Sequence, residues 1–158
     1  MSPHHPLSHI DESGRAQMVD VSEKAVTRRV AGASCRVILS TETVSLLGEL
    51  PKGDAIAVAR LAGVQGAKRT AELIPLAHPL SLEQVEVEVT PTETGVEIVS
   101  RVIIHGRTGA EMEALVACST AALALYDMVK AVEREATITD LRLEQKSGGR
   151  SGEFRRRE

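Results

Sequence analysis

Between Glu113 and Asp127 the chain runs for thirteen residues, Ala114 to Tyr126, without one charged side chain. A helical run with no polar face must be covered on every side. This one is far shorter than the roughly 20 residues that a bilayer crossing needs, so protein has to cover it. A single small domain offers one covering face. The pattern therefore predicts a partner subunit on the other side, with the flanking carboxylates at the edges of that contact.

The 158 residues are read as one domain spanning 1–158; a chain of this size buries about 70% of its extended-chain surface without a disulfide or metal. Its core must be aliphatic, because Tyr126 and Phe154 are the only aromatic residues and there is no Trp. Single-strand nucleic-acid binders stack bases on aromatic rings, and a net charge of −3 argues against a general phosphate-backbone binder. Nucleic acid is not expected as a partner. Cys35 and Cys118 form no metal-type pair and are expected to be buried and reduced. No signal peptide or spanning segment is visible, which predicts a cytoplasmic protein with no membrane partner. The ends, residues 1–14 and 148–158, carry Pro, His, Ser and Gly with a basic Arg155-Arg156-Arg157 run, and are expected to be mobile.

Alternation of Ala31, Ala33, Cys35, Val37 and Leu39 predicts a half-buried strand over Thr27 to Leu39. Ser40 or Thr41 caps a short helix that stops before Pro51, and Asp54 caps a second one running toward Pro75. In the latter, Gly63 and Gly66 each cost about 1 kcal/mol against Ala, which a close neighbour would offset. Val85, Val87 and Val89 form a strand, Pro91 to Gly95 its turn, and Val96 to Ile104 the returning partner. A helix from about Ala110 to Val132 precedes a last strand with Ile138, Leu141 and Leu143. Merging the consecutive helices leaves βαββαβ, an α+β, ferredoxin-like antiparallel sheet with helices on one face. Its open face is available for oligomerisation.

Chemistry-bearing residues flank these elements. Thr108-Gly109-Ala110-Glu111 fits a capping box, with Glu111 reaching back to the Thr108 backbone, a role as good on spacing as a catalytic one. Glu113 has no capping role but suits a solvated first turn. Asp127 and Lys130 share one helix face, as a surface ion pair or an acid–base pair. Fourteen residues separate Glu113 from Asp127, about 21 Å along a helix. One small reacting centre can use both only if an antiparallel copy supplies one of them, which creates two equivalent sites. His78 is pinned between Pro75 and Pro79. Lys52 sits at a helix entrance, where a cation is unhelpful, which hints at an anionic ligand. Lys146 to Gly152 lacks the order of a P-loop and reads at most as a basic flap. No His, Cys or Asp cluster calls for a metal, and no cofactor is implied.

Several ordered segments together resemble the cyclic pyranopterin monophosphate synthase family, the molybdenum-cofactor biosynthesis protein C. They are Met18-Val19-Asp20-Val21-Ser22, Lys52-Gly53-Asp54, Ala62 to Thr70, the Leu73 to Leu80 loop, Thr108 to Leu115, Tyr126-Asp127-Met128 and Lys146-Ser147-Gly148-Gly149. The resemblance implies conversion of a cyclised dihydro-GTP to cyclic pyranopterin monophosphate with release of pyrophosphate. It also implies a ferredoxin-like fold and a homohexamer, a trimer of dimers, with sites at the dimer interface. Carried onto matching positions, Asp127 would be the acid–base residue with Lys130 beside it, and Lys52 a second catalytic lysine. Leu76, Ala77, His78, Glu111, Met112 and Glu113 would bind substrate. Arg29 and Lys146 would hold the triphosphate, and Lys68 reads as structural. Ala77 departs from the Cys of many relatives, and Arg150 from a frequent Lys. The competing class is a non-catalytic ferredoxin-like module that binds a small molecule, since the fold alone does not settle function.

Overall fold

The computed structural model describes residues 9–11 and 13–157. The expectation about residues 1–14 falls largely on 1–8 and 12, outside the described residues. In chain order the elements are β1 (Thr27–Ile38), α1 (Thr41–Ser45), α2 (Ala55–Lys68), α3 (Thr70–Leu73), β2 (Gln84–Thr92), β3 (Gly95–Gly106), α4 (Glu111–Val129), β4 (Thr137–Ser147) and β5 (Phe154–Arg155). The strands form one five-stranded antiparallel sheet in the order β2-β3-β1-β4-β5.

The period-2 pattern sets the register. Val89, Ile98 and Cys35 form one row across β2, β3 and β1, and Val87, Ser100 and Ala33 form the next. These residues are buried, while Arg36, Glu97 and Val99 point to the opposite, exposed face. A one-residue slip would exchange the two sets, so the pattern and the pairing specify one another. β4 departs from strict alternation: Ser34 pairs with Arg142 but Arg36 with Thr139, leaving one extra residue in β4. Asp140 absorbs it in a left-handed conformation (φ 56°), as a β-bulge requires.

α4 lies on β1, β3 and β4, and α2 packs against both α4 and β2. The helices run in opposite directions, because Lys52 before α2 reaches Asp127 near the end of α4. Both capping expectations hold: the Ser40 side chain accepts from Thr43 N, and Asp54 from Ile56 N and Ala57 N. The two α2 glycines meet their neighbours at close range. A Cβ on Gly66 would lie 2.7 Å from Thr120 Cβ, and one on Gly63 3.0 Å from the Ala117 carbonyl oxygen and the Val87 methyls. Gly66→Ala gains helix propensity yet collides with Thr120, so a net loss of about 1–3 kcal/mol is expected. A thermal melt reads it; an unchanged or raised Tm would mean that α2 and α4 yield freely.

Three expectations need correction. The helix after Asp54 ends at Lys68, and Thr70 starts the separate turn α3 rather than continuing toward Pro75. Pro91 belongs to β2, paired with Val96, and the turn is only Glu93-Thr94; β2 is an edge strand, where a missing N–H faces outward harmlessly. α4 ends at Val129, three residues before Val132. β5 is a strand that the sequence does not announce. Within one chain the apolar run is covered only in part, as expected for a single domain. Ala114, Ala117, Cys118, Ala121 and Leu125 are fully buried, but Leu123 is 61% exposed. The place of α4 between α2 and the sheet makes it the core helix of the domain. Cys35 and Cys118 meet there as buried free thiols; the neighbouring Cys118 sulfur and burial raise Cys35 far above its usual range, which leaves it inert.

Candidate active site

The candidate side chains gather at the two ends of α4. At its C-terminal end stand Lys52, Asp127 and Lys130. Leu47 and Leu50, both buried, anchor the loop after α1, and Gly53 in a left-handed conformation (φ 104°) turns the chain into α2. Lys52 Nζ then donates to Asp127 Oδ2 at 2.8 Å and to the Asp127 carbonyl at 2.9 Å. Lys130 Nζ lies 2.6 Å from Asp127 Oδ1. The hydrogen bond from Lys130, then that from Lys52, holds the Asp127 carboxyl down at about 2, and Asp127 raises Lys130 in turn. Lys52 is thus unhelpful to the start of α2 but favourable at the carbonyl end of α4. Its misfit is answered inside the chain, by Asp127.

At the N-terminal end the capping-box expectation fails. The N-cap is Ala110, with no side-chain cap. Glu111 turns instead to Lys146, 2.9 Å away, and its carboxylate folds back over Gly109, leaving no room there for a Cβ. Lys146 also donates to Ser151 Oγ at 3.1 Å, so one ammonium ties β4, the following glycine loop and α4 together. Glu113 is not solvated in a first turn but only 3% exposed. Burial, reinforced by the Glu111 charge, pushes its carboxyl up to about 7. His78 donates from Nε2 to the Val19 carbonyl at 2.8 Å, which leaves Nδ1 to accept or carry a second proton.

Two adjoining clefts open beside these groups. One, of about 600 Å³, is lined by Leu76, Ala77, His78, Glu111, Met112 and Glu113 together with Val19 and Val21. The other, of about 960 Å³, is lined by Arg29, Arg107, Lys24 and Arg150, with Thr27, Gly149 and Ser151. Lys24, Thr108, Gly109 and Glu111 border both. Arg29 is fixed at its cleft, donating from Nε to the Gly106 carbonyl at 3.0 Å and from Nη2 to the Arg107 carbonyl at 3.2 Å. Concentrated guanidinium and ammonium groups beside a pocket with one buried and one half-buried carboxyl suit a ligand that carries phosphates at one end and N–H groups at the other.

The catalytic and substrate-binding candidates read from sequence thus fall into two groups: Lys52, Asp127 and Lys130 at one end, and Arg29, Leu76, Ala77, His78, Glu111, Met112, Glu113 and Lys146 at the other. The structure does not bring the groups together within one chain. Lys68 closes α2 on the surface. Sequence reasoning missed Lys24, Arg107 and the Val19 carbonyl. Arg107 precedes the Thr108-Gly109 turn directly and was findable from charge next to that turn; Val19 lies in the Met18 to Ser22 segment that carries the resemblance, and for Lys24 no local signal exists.

Such an arrangement belongs to a small α+β enzyme that works on a small molecule rather than on a polymer surface. A family model described as the MoaC family matches residues 18–149. The chain is 57% identical to a cyclic pyranopterin monophosphate synthase of Streptomyces griseus over 158 residues, covering 99% of this chain and 89% of that protein. It is 57% identical to the protein of the same name from Cereibacter sphaeroides over 152 residues, 94% and 96% of the two chains. A cyclic pyranopterin monophosphate synthase 1 of Mycobacterium bovis is 55% identical over 153 residues, 95% and 90%. The chain belongs to the MoaC family.

Proposed function

We propose that this chain catalyses the reaction named for its relatives, synthesis of cyclic pyranopterin monophosphate, from a cyclised dihydro-GTP and with release of pyrophosphate, in molybdenum cofactor biosynthesis. One observation carries the reading: the Lys52–Asp127–Lys130 cluster, with both ammonium groups held on one carboxylate at 2.8 and 2.6 Å, at positions that resemble the family's catalytic ones. In this reading Arg29, Arg107 and Lys146 hold the triphosphate. Glu111 and Glu113 take the N–H groups of the guanine-derived ring, beside Leu76, Ala77, His78 and Met112. A carboxyl held near 2 is a poor proton acceptor at neutral pH, so Asp127 stays ionised and keeps Lys52 and Lys130 aimed, while the lysines deliver protons. Glu113, held near 7, is the group matched to accept one.

The same reading makes the assembly a homohexamer, a trimer of dimers, in which α4 meets an antiparallel copy of itself and each site takes Asp127 from one chain and Glu113 from the other. The exposed Leu61 and Leu123 (72% and 61%) support such a contact, because the helical layer leaves apolar side chains uncovered. We read β2-β3-β1-β4 with its helical crossovers as the ferredoxin-like βαββαβ core, residues 1–158 as one domain, and the cytoplasm as its location. Incubation with the cyclised nucleotide tests the function: stoichiometric pyrophosphate together with the pterin is expected. Silence with authentic substrate would move the chain to the class of non-catalytic binding modules.

A further inference from the structure

We propose that Gly149 is a positioning residue for Arg29: the side chain it lacks leaves the space in which the guanidinium lies, and so aims the remaining N–H groups into the larger cleft. The inference rests on the reading that Arg29 binds the phosphate chain of the substrate.

β4 ends at Ser147, paired with Val30, and the next two residues turn back over the start of β1. Both are left-handed, Gly148 at φ 92° and Gly149 at φ 78°. A Cβ on Gly148 would run into the Arg28 carbonyl oxygen, so the two backbones touch directly. A Cβ on Gly149 would meet the head of Arg29, 2.6 Å from Cζ and 2.8 Å from Nη2, and closer still to Nη1. The approach is closest to Nη1, so the missing methyl would press on the outer, Nη1 end of the guanidinium. On the protein side the fork is fixed by Nε to the Gly106 carbonyl and Nη2 to the Arg107 carbonyl. Two of its five N–H groups are thereby used. Among the described residues nothing takes the remaining three, two of them on Nη1, and these can serve an anion in the cleft that Arg29 and Gly149 both line. A planar fork recognises phosphate only when held in the matching plane. A methyl at position 149 would tip that plane and break the alignment with both carbonyls.

The test is a set of variants assayed for pyrophosphate release from the cyclised nucleotide. Gly149→Ala and Gly149→Asn are each expected to raise KM about tenfold, the loss of one charge-assisted hydrogen bond, with kcat within about twofold. Asn adopts left-handed backbone far more readily than Ala. An Asn variant with normal KM beside an impaired Ala variant would therefore mean that only the backbone conformation matters, and would overturn the inference. In an Arg29→Ala background, adding Gly149→Ala is expected to change KM by less than about twofold; a second full tenfold rise would mean that Gly149 acts elsewhere. Arg29→Ala alone with normal KM would remove the reading on which the inference rests. Arg29→Ala with raised KM, beside Gly149 variants with normal KM, would remove only the inference.

Discussion

Replacing Asp127 by Ala is expected to slow pyrophosphate release by roughly 10²–10⁴-fold, and the loss should be recoverable from a second inactive variant. The carboxylate holds Lys52 and Lys130 on its two oxygens. Without it both ammonium groups lose their aim, and Lys52 keeps only a carbonyl partner. Glu113→Ala should fail for a different reason, at the other end of the same helix. Fourteen residues at 1.5 Å per residue separate the two positions by about 21 Å, more than a bound nucleotide's reacting ring can bridge. If the site is shared between antiparallel copies, a mixed dimer of the two variants contains one site with both defects and one with neither. Random pairing of equal amounts makes half of the dimers mixed, so about a quarter of parental turnover should return. Differently tagged chains, unfolded together and refolded, provide the mixture. Confirmed mixed oligomers that stay inactive would mean that each chain builds its site alone, and the two-chain reading would be lost.

How legible this was from sequence depended on the range of the interaction. The rows Val89-Ile98-Cys35 and Val87-Ser100-Ala33 follow from alternation, and the Ser40 and Asp54 caps from side chains that bond within three residues. These are local rules with local signals. The errors come from partners distant in sequence. Glu111 has good capping spacing, yet Lys146, 35 residues away, takes its carboxylate, and no window around α4 contains that competitor. Pro91 reads as a turn residue because Pro ends most strands, but on the edge strand β2 its missing donor removes no pairing. Glu113 reads as solvated because first turns welcome carboxylates; only the folded chain shows that it is buried. The apolar run on α4 correctly signalled the core helix. It could not say which residue stays uncovered, because that depends on where α2 crosses, and Gly63 and Gly66 set that crossing through contacts with Ala117 and Thr120.

Glu113→Gln is expected to make the protein more stable at pH 8 while impairing catalysis. The carboxyl is 3% exposed and pushed up to about 7 by burial, against about 4.3 in an unfolded chain. Between those values the folded state binds more protons than the unfolded one, so stability falls as pH rises through this window. Above about pH 7 the full destabilisation is present, on the order of 3 kcal/mol. Gln keeps the shape and cannot ionise. The two proteins should therefore melt together near pH 4.5 and separate as pH rises, the variant gaining roughly 6–12 °C in Tm at pH 8 for a chain of this size. The other shifted carboxyls work in the opposite direction and in another window. Lys130 and then Lys52 lower Asp127, the Thr43 and Ser40 hydrogen bonds lower Glu133, and Ser34 lowers Glu144. Their contributions are lost only as pH falls below the ordinary carboxylate range, so they leave the comparison from pH 5 to 8 untouched. In the proposed function, this buried acid, beside Glu111 and facing a cleft, serves proton transfer rather than folding. Parallel melting curves for parent and variant from pH 5 to 8 would show Glu113 ionised at its ordinary value and would remove its role as proton acceptor.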